Sequence, residues 1–277
     1  MSSSIQQAIA EQFGVTTEFH PDPLYAIAGS RLMTECGMQE LIDAYSPLMK
    51  ALEPAAAGAY FIGRLSVLNM AMHYMLTQDE LIDLAPELWT LQIYMHDKGY
   101  VEFRYALHEI RPLEGPADGE RSAWREERLS HWYGTHLRPI VETTAQAVDM
   151  DLLHLWKLFP IRLRYMFDQL KEKAASEQER LRLEEEWAFV SQQLDGQVFG
   201  RARNPLDVKF VTIDYPGAPG EPDKQMRMKT ACCMFYRTDG GYKCYTCPRM
   251  KPAEREERKV QIREKLAQEA AVQAAAR

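Results

Sequence analysis

Across residues 55–77 the only charged side chain is Arg64. A helix that is apolar nearly all round buries itself at the centre of a fold. This run is therefore expected to be the central helix, closed off by Asp79 and Pro86. Its most apolar part, Leu65 to Leu76, is interrupted by Asn69 and His73. That is far short of the roughly 20 residues a membrane span needs, so no membrane span is expected.

The segments around this run change period. Residues 4–13 read as a short helix capped by Ser4, and residues 38–52 as a helix with Leu41, Ala44, Tyr45, Leu48 and Leu52 on one face. Leu88 to His96 and Tyr100 to Ile110 are β-rich. Val101, Phe103, Tyr105 and Leu107 alternate with Glu102, Arg104 and Ala106, which predicts a hairpin turning at Gly99. An amphipathic helix follows Ser122, with Leu129, Trp132, Tyr133, His136, Leu137, Ile140 and Val141 at helical spacing. A further helix spans about 149–173, kinked or split by Pro160, and another about 177–193. Val208 to Asp214 and Gln225 to Lys229 read as a second strand pair. The expected fold is α+β: mostly helical, with a small antiparallel sheet built from two hairpins and a C-terminal metal segment. From Pro252 onward the Glu, Arg, Lys, Gln and Ala composition predicts a charged helical tail, solvated or frayed. The expected division is 1–249 as one domain, with the metal-binding segment at 230–249, and 250–277 as the tail.

The chain has 277 residues and a formal net charge of -7. It shows no basic stripe of the kind nucleic-acid binders carry, so no nucleic-acid partner is expected. The opening Met1-Ser2-Ser3-Ser4-Ile5-Gln6 has neither the basic nor the apolar region of a signal peptide. A cytoplasmic protein is expected, and there a tight group of cysteines points to metal or redox work rather than structural disulfides.

Four of the five cysteines fall within one segment: Cys232-Cys233, ten residues, Cys244, two residues, Cys247. Four thiolates suit a 2Fe–2S cluster, two to each iron, or a structural zinc ion. A zinc ribbon offers two Cys-x-x-Cys turns, and only Cys244 and Cys247 form one here. Neighbouring side chains of a strand point to opposite faces, so Cys232 and Cys233 meet one small ion only if the strand breaks. A two-iron cluster is a wider target, and Gly240-Gly241 lets the loop fold back. The spacing favours iron–sulfur, with zinc and a disulfide or free thiols as alternatives. A vicinal disulfide is disfavoured by the short separation of adjacent Cα atoms.

Cys232-Cys233-x-x-Tyr236-Arg237, a short loop, then Cys244-x-x-Cys247 resembles the C-terminal signature of the FhuF-like ferric-siderophore reductase family. Weaker correspondences run over about 45–248, through Leu76-Thr77-Gln78, the Gly99 hairpin and Asn204-Pro205-Leu206. The N-terminal segment and the tail after Arg249 depart from the pattern. The resemblance implies a cytoplasmic oxidoreductase that passes single electrons through a 2Fe–2S cluster to ferric siderophores, mostly of the hydroxamate kind. Carried over, Cys232, Cys233, Cys244 and Cys247 are the cluster ligands and the redox-active site. Backbone N–H donors to the sulfurs are expected from residues 240–246. No dinucleotide-binding or phosphate-binding glycine motif is present, so a ferredoxin-like protein is the expected electron donor. Arg201, Arg203, Lys229 and Arg237 are the candidate contacts to the substrate, each weighed against being a solvated surface charge. A zinc-stapled binding module without redox activity and an iron–sulfur sensor read by a partner are the alternatives.

Among other features, His73 and His136 are expected to be packed histidines on apolar helix faces, and Cys36 a buried thiol. Met70, Met72 and Met75 fit either a core or a pocket lining.

Overall fold

The computed structural model describes residues 2–275. Its centre is the expected apolar helix. In chain order the elements up to it are α1 (Ser3–Phe13), β1 (Val15–Thr16), β2 (Tyr25–Ala28), α2 (Glu35–Leu48) and α3 (Pro54–Thr77). Pro54 opens α3, where a missing N–H costs nothing. Phe61, Ile62, Leu65, Leu68, Met75 and Leu76 are fully buried along α3. The two polar interruptions are buried too, and each is satisfied. Asn69 donates to the Tyr133 hydroxyl at 3.1 Å and accepts from the Trp132 indole at 2.7 Å. His73 Nε2 meets the same hydroxyl at 2.9 Å. Burial pulls the His73 imidazole down to about 3, so it packs as a neutral ring, as expected. His136 is held down to about 4, by burial and then by His131.

The elements β3 (Leu81–Ile82), β4 (Trp89–Met95), β5 (Val101–Leu107) and β6 (Pro112–Leu113) follow. β4 and β5 form the expected hairpin, with Gly99 at φ 80° in its turn. Two short strands extend it. β1 runs parallel to β5 and β2 antiparallel to β4, giving the order β1-β5-β4-β2. β3 and β6 make a separate pair.

The second half is helical: α4 (Arg121–His131), α5 (Arg138–Ala147), α6 (Leu152–Trp156), α7 (Pro160–Lys173) and α8 (Glu177–Ala188). α4 continues into α5 through a π turn, Trp132–Leu137. Pro139 has no N–H to offer the preceding turn, and the helix passes it by widening. Pro160 splits the next helix, as expected, and stands at the start of α7. Glu186 of α8 is buried between Arg121 and Arg125. β7 (Thr212–Tyr215) and β8 (Lys224–Arg227) pair only with each other. The α+β class holds, but the two hairpins belong to separate sheets.

The cysteine segment follows β8, and α9 (Pro252–Ala275) follows the segment. The early turns of α9 are fastened rather than frayed. Lys259 and Arg263 both reach Asp223, at 2.8 and 3.0 Å, and together they pull its carboxyl down to about 2. Among the described residues, no helix is long and apolar enough to cross a membrane.

Candidate metal centre

Backbone geometry brings the two cysteine pairs together. Beyond β8, the Lys229 N–H donates to the Thr246 carbonyl at 2.9 Å, which lays the chain entering the segment beside the Cys244–Cys247 turn. The Thr230 hydroxyl donates to the Lys157 carbonyl at 2.5 Å, and His154 Nε2 donates to the Cys232 carbonyl at 2.8 Å. The segment is thus anchored to α6 and the turn after it. There is no strand at Cys232-Cys233. Met234 takes a left-handed conformation, φ 58°, which breaks the extended path that would have sent the two side chains apart.

The intervening loop folds back on two contacts. Leu52 donates to the Arg237 carbonyl, and Asp239 donates to the Lys50 carbonyl, both at 2.9 Å. Gly241 closes the return. A Cβ there would stand 1.9 Å from the Phe235 carbonyl oxygen, so no side chain fits. The Cys247 N–H then donates to the Cys244 carbonyl at 2.8 Å, forming the Cys-x-x-Cys turn.

The four sulfurs gather around this fold-back as free thiols. Cys232 Sγ and Cys247 Sγ are 3.4 Å apart, and both residues are buried. Cys247 also pairs with Cys244. Cys233 and Cys244, both half-buried, share the ammonium of Lys229, whose Nζ lies 3.6 Å from Cys233 Sγ. Crowding splits the thiols electrostatically. The hydrogen bond from Cys247, helped by the Met234 N–H, brings Cys232 down to about 7 despite burial. Cys244 is pushed up to about 12 by its hydrogen bond with Cys247 and by burial. Cys247 is raised by its bond to Cys232. Four thiols this close cannot all ionise beside one another without a multivalent cation to compensate them. Soft thiolate donors arriving as two pairs fit a two-iron cluster. Among the described residues, no three His, Cys, Asp or Glu side chains converge to grip one ion.

Residues 230–249 match the FhuF 2Fe–2S C-terminal domain. The match covers all four cysteines and bears out the resemblance over that stretch. The cofactor of this FhuF-type segment is a 2Fe–2S cluster. No curated protein matches the chain at a significant level.

The FhuF-type segment is bonded on one side and open on the other. On the bonded side, α9 threads Arg255 under it. The guanidinium donates to the carbonyls of Tyr245, Cys247 and Met250 at 3.2, 3.0 and 3.5 Å. Lys243 pairs with Glu254 at 2.9 Å. On the open side lies a cavity of about 520 Å³ between α3, α7 and β8, and Cys233 is the cysteine on its wall. Its basic lining consists of Arg64, Arg162, Arg227 and Lys229, and Tyr60, Tyr165 and Thr246 add polar wall.

Of the substrate contacts read from the sequence, Lys229 reaches this cavity. Arg201 and Arg203 do not line it. They sit in the turn packed on Gly196, where Arg201 N–H meets the Gly196 carbonyl at 3.0 Å. Arg237 is exposed, 3.6 Å from Glu53 and stacked on Tyr236. The backbone donors to sulfur come from Met234 and Arg249 rather than from residues 240–246. Cys36 is exposed on α2, with its thiol 3.4 Å from Glu40, because its helix turns that face outward. Met72 and Met75 are core residues, and no methionine of α3 lines the cavity.

Arg64 and Arg162 are the residues that sequence reasoning passed over. They lie far apart in the chain and meet only through the packing of α3 against α7. The available signal was Arg64 itself, the lone charge in an otherwise uncharged helix.

Proposed function

We propose that this protein is a ferric-siderophore reductase: it passes single electrons to ferric iron held in a chelate and so releases Fe(II). The carrying observation is the gathering of Cys232, Cys233, Cys244 and Cys247 on one fold-back, with Cys233 at the wall of a ligand-sized cavity. In this reading those four thiolates hold the cluster. Residues 1–249 form the reductase domain and 250–277 the tail, whose α9 braces the metal segment. The reaction takes place in the cytoplasm, with a ferredoxin-like protein as donor.

The bound cluster supplies a one-electron store of low potential. The chain's own residues do the rest. Lys229 places positive charge between the sulfurs and the cavity. The cavity would hold the chelate beside Cys233, the one of the four cysteines on its wall, close to the electron the cluster would supply. Met234 and Arg249 donate N–H groups to sulfur, and such donors raise the potential of a thiolate-bound cluster. The protein has no coordination bond to break. Hard oxygen ligands hold Fe(II) more weakly than Fe(III), and ligand exchange frees the reduced metal.

The test is visible absorption of protein purified without oxygen, before and after dithionite, followed by a ferric siderophore and a ferrous-specific chromophore. Bleaching by dithionite, recovery on adding the siderophore and matching ferrous release are the expected sequence. A colourless protein with stoichiometric zinc overturns the reading. A bleachable protein that reacts with none of the ferric chelates offered points instead to a sensor. Rapid turnover with NAD(P)H alone would remove the protein donor from the scheme.

A further inference from the structure

The cavity beside Cys233 has a one-sided charge. Its wall carries four basic side chains and no carboxylate. Two of the four are already engaged. Arg227 is ion-paired with Asp168, and Lys229 is directed at Cys233 and Cys244. Arg64 and Arg162 are not engaged in this way. Arg64 gives one nitrogen to the Val101 carbonyl at 3.2 Å, hydrogen-bonds the Tyr45 side chain and also lines the neighbouring cavity beside β5, whereas Arg162 lies over Gly63, its guanidinium 3.7 Å from where a Cβ would stand. Neither makes an ion pair among the described residues.

Two guanidiniums facing one concavity repel each other. Burial and the neighbouring Arg64 hold Arg162 below the usual arginine range, although arginine keeps its charge throughout. A ligand that brings carboxylate oxygens relieves that repulsion and matches the planar donor fork of each side chain. Tyr60 adds a third donor, since burial, with Cys233 adding to it, pushes its phenol up and keeps it protonated. A neutral chelate entering the same space would cover both guanidiniums without pairing them, and an unpaired covered charge is costly. The volume, about 520 Å³, lies within the range of small-molecule sites.

The geometry points to a specificity device: the cavity takes ferric chelates of net negative charge with free carboxylate oxygens, and Arg64 and Arg162 select them over neutral hydroxamate complexes. This rests on the reductase reading above and narrows its substrate class away from the hydroxamate type expected from the sequence.

Gallium(III) copies the charge and size of ferric iron but accepts no electron, so it separates binding from turnover. The experiment measures calorimetric binding of gallium(III) dicitrate and of neutral gallium(III) tris(acetohydroxamate) to the holoprotein, at low and high salt. The dicitrate complex is expected to bind at least about tenfold tighter, given charge-assisted contacts to two arginines, and to weaken as salt rises. Arg162→Gln is expected to remove about tenfold of dicitrate affinity while leaving the neutral complex unchanged, and Arg162→Lys to restore part of it. The visible spectrum of each variant reports whether the cluster segment is intact. Equal binding of the two complexes, or an Arg162→Gln protein with wild-type preference, overturns the inference. In the same samples, dithionite-reduced holoprotein is mixed with the two ferric complexes. If the neutral complex reoxidises it as fast as the dicitrate, the reductase reading stands and the selection fails. If neither complex reoxidises it, the reductase reading itself fails, whatever the gallium binding.

Discussion

The ammonium nitrogen of Lys229 lies 3.6 Å from the sulfur of Cys233, and it also interacts with Cys244. Burial works against its charge, yet the two thiols outweigh burial and raise its pKa. A fixed positive charge at that distance favours the more negative, reduced state of any centre the sulfurs hold. Lys229→Met should therefore lower the reduction potential by on the order of 50 mV, the effect of a partly screened unit charge on a one-electron couple. A redox titration followed by visible absorption checks this. An unchanged potential would mean the lysine serves only to pack the segment.

Each of Cys232→Ser, Cys233→Ser, Cys244→Ser and Cys247→Ser should abolish or strongly shift the visible absorption, since a hard hydroxyl replaces a soft thiolate. Cys36→Ser should leave it unchanged, because that thiol is exposed on α2 beside Arg31 and Glu40. Iron and acid-labile sulfide per chain are the measurements. Loss of colour in the Cys36 variant would break the ligand assignment.

Arg255, in the first turn of α9, binds two carbonyls of the metal segment and that of Met250 just beyond it. Hydrogen bonds from a charged donor are each worth about 1.5–3 kcal/mol. Arg255→Ala should therefore speed cluster loss to a chelator by roughly tenfold or more, with far-ultraviolet circular dichroism otherwise preserved. The rate of bleaching under chelator reads this directly.

Acid should destabilise the fold through His73, whose pKa falls from 6.5 to about 3 on burial. The unfolded chain takes up this proton first. Stability is therefore complete above about pH 6.5 and declines as pH falls towards 3, by up to about 1.4 kcal/mol per pH unit. His136, held down to about 4, acts with the same sign. His73→Gln should reduce the pH dependence of the unfolding free energy near pH 5 by roughly one proton, whatever it does to the stability at pH 7. Urea unfolding at several pH values measures the slope.

Much of this architecture is written in local pattern. α3 follows from an uncharged run, the β4–β5 hairpin from strict alternation about Gly99, and the break before α7 from Pro160. The metal segment was legible because its chemistry lies in residue type and close spacing. β1 and β2 were not, since two and four residues are too short to show a period and form only by pairing with the hairpin edges. The cavity was invisible for a related reason. Its wall joins α3, α7 and β8, whose meeting depends on tertiary packing, so the sequence points to Arg201 and Arg203 and passes over Arg64 and Arg162. The fastening of α9 was hidden likewise, because Lys259 and Arg263 find Asp223 across an intervening segment that composition does not describe.

Cys233, Ala231 and Thr246 are themselves part of the cavity wall. A chain that has lost its iron and let that segment loosen has also lost one side of its binding site. On the proposed reductase reading, capture of cargo and the means of processing it then fail together, and damaged molecules drop out of competition for scarce iron instead of sequestering it.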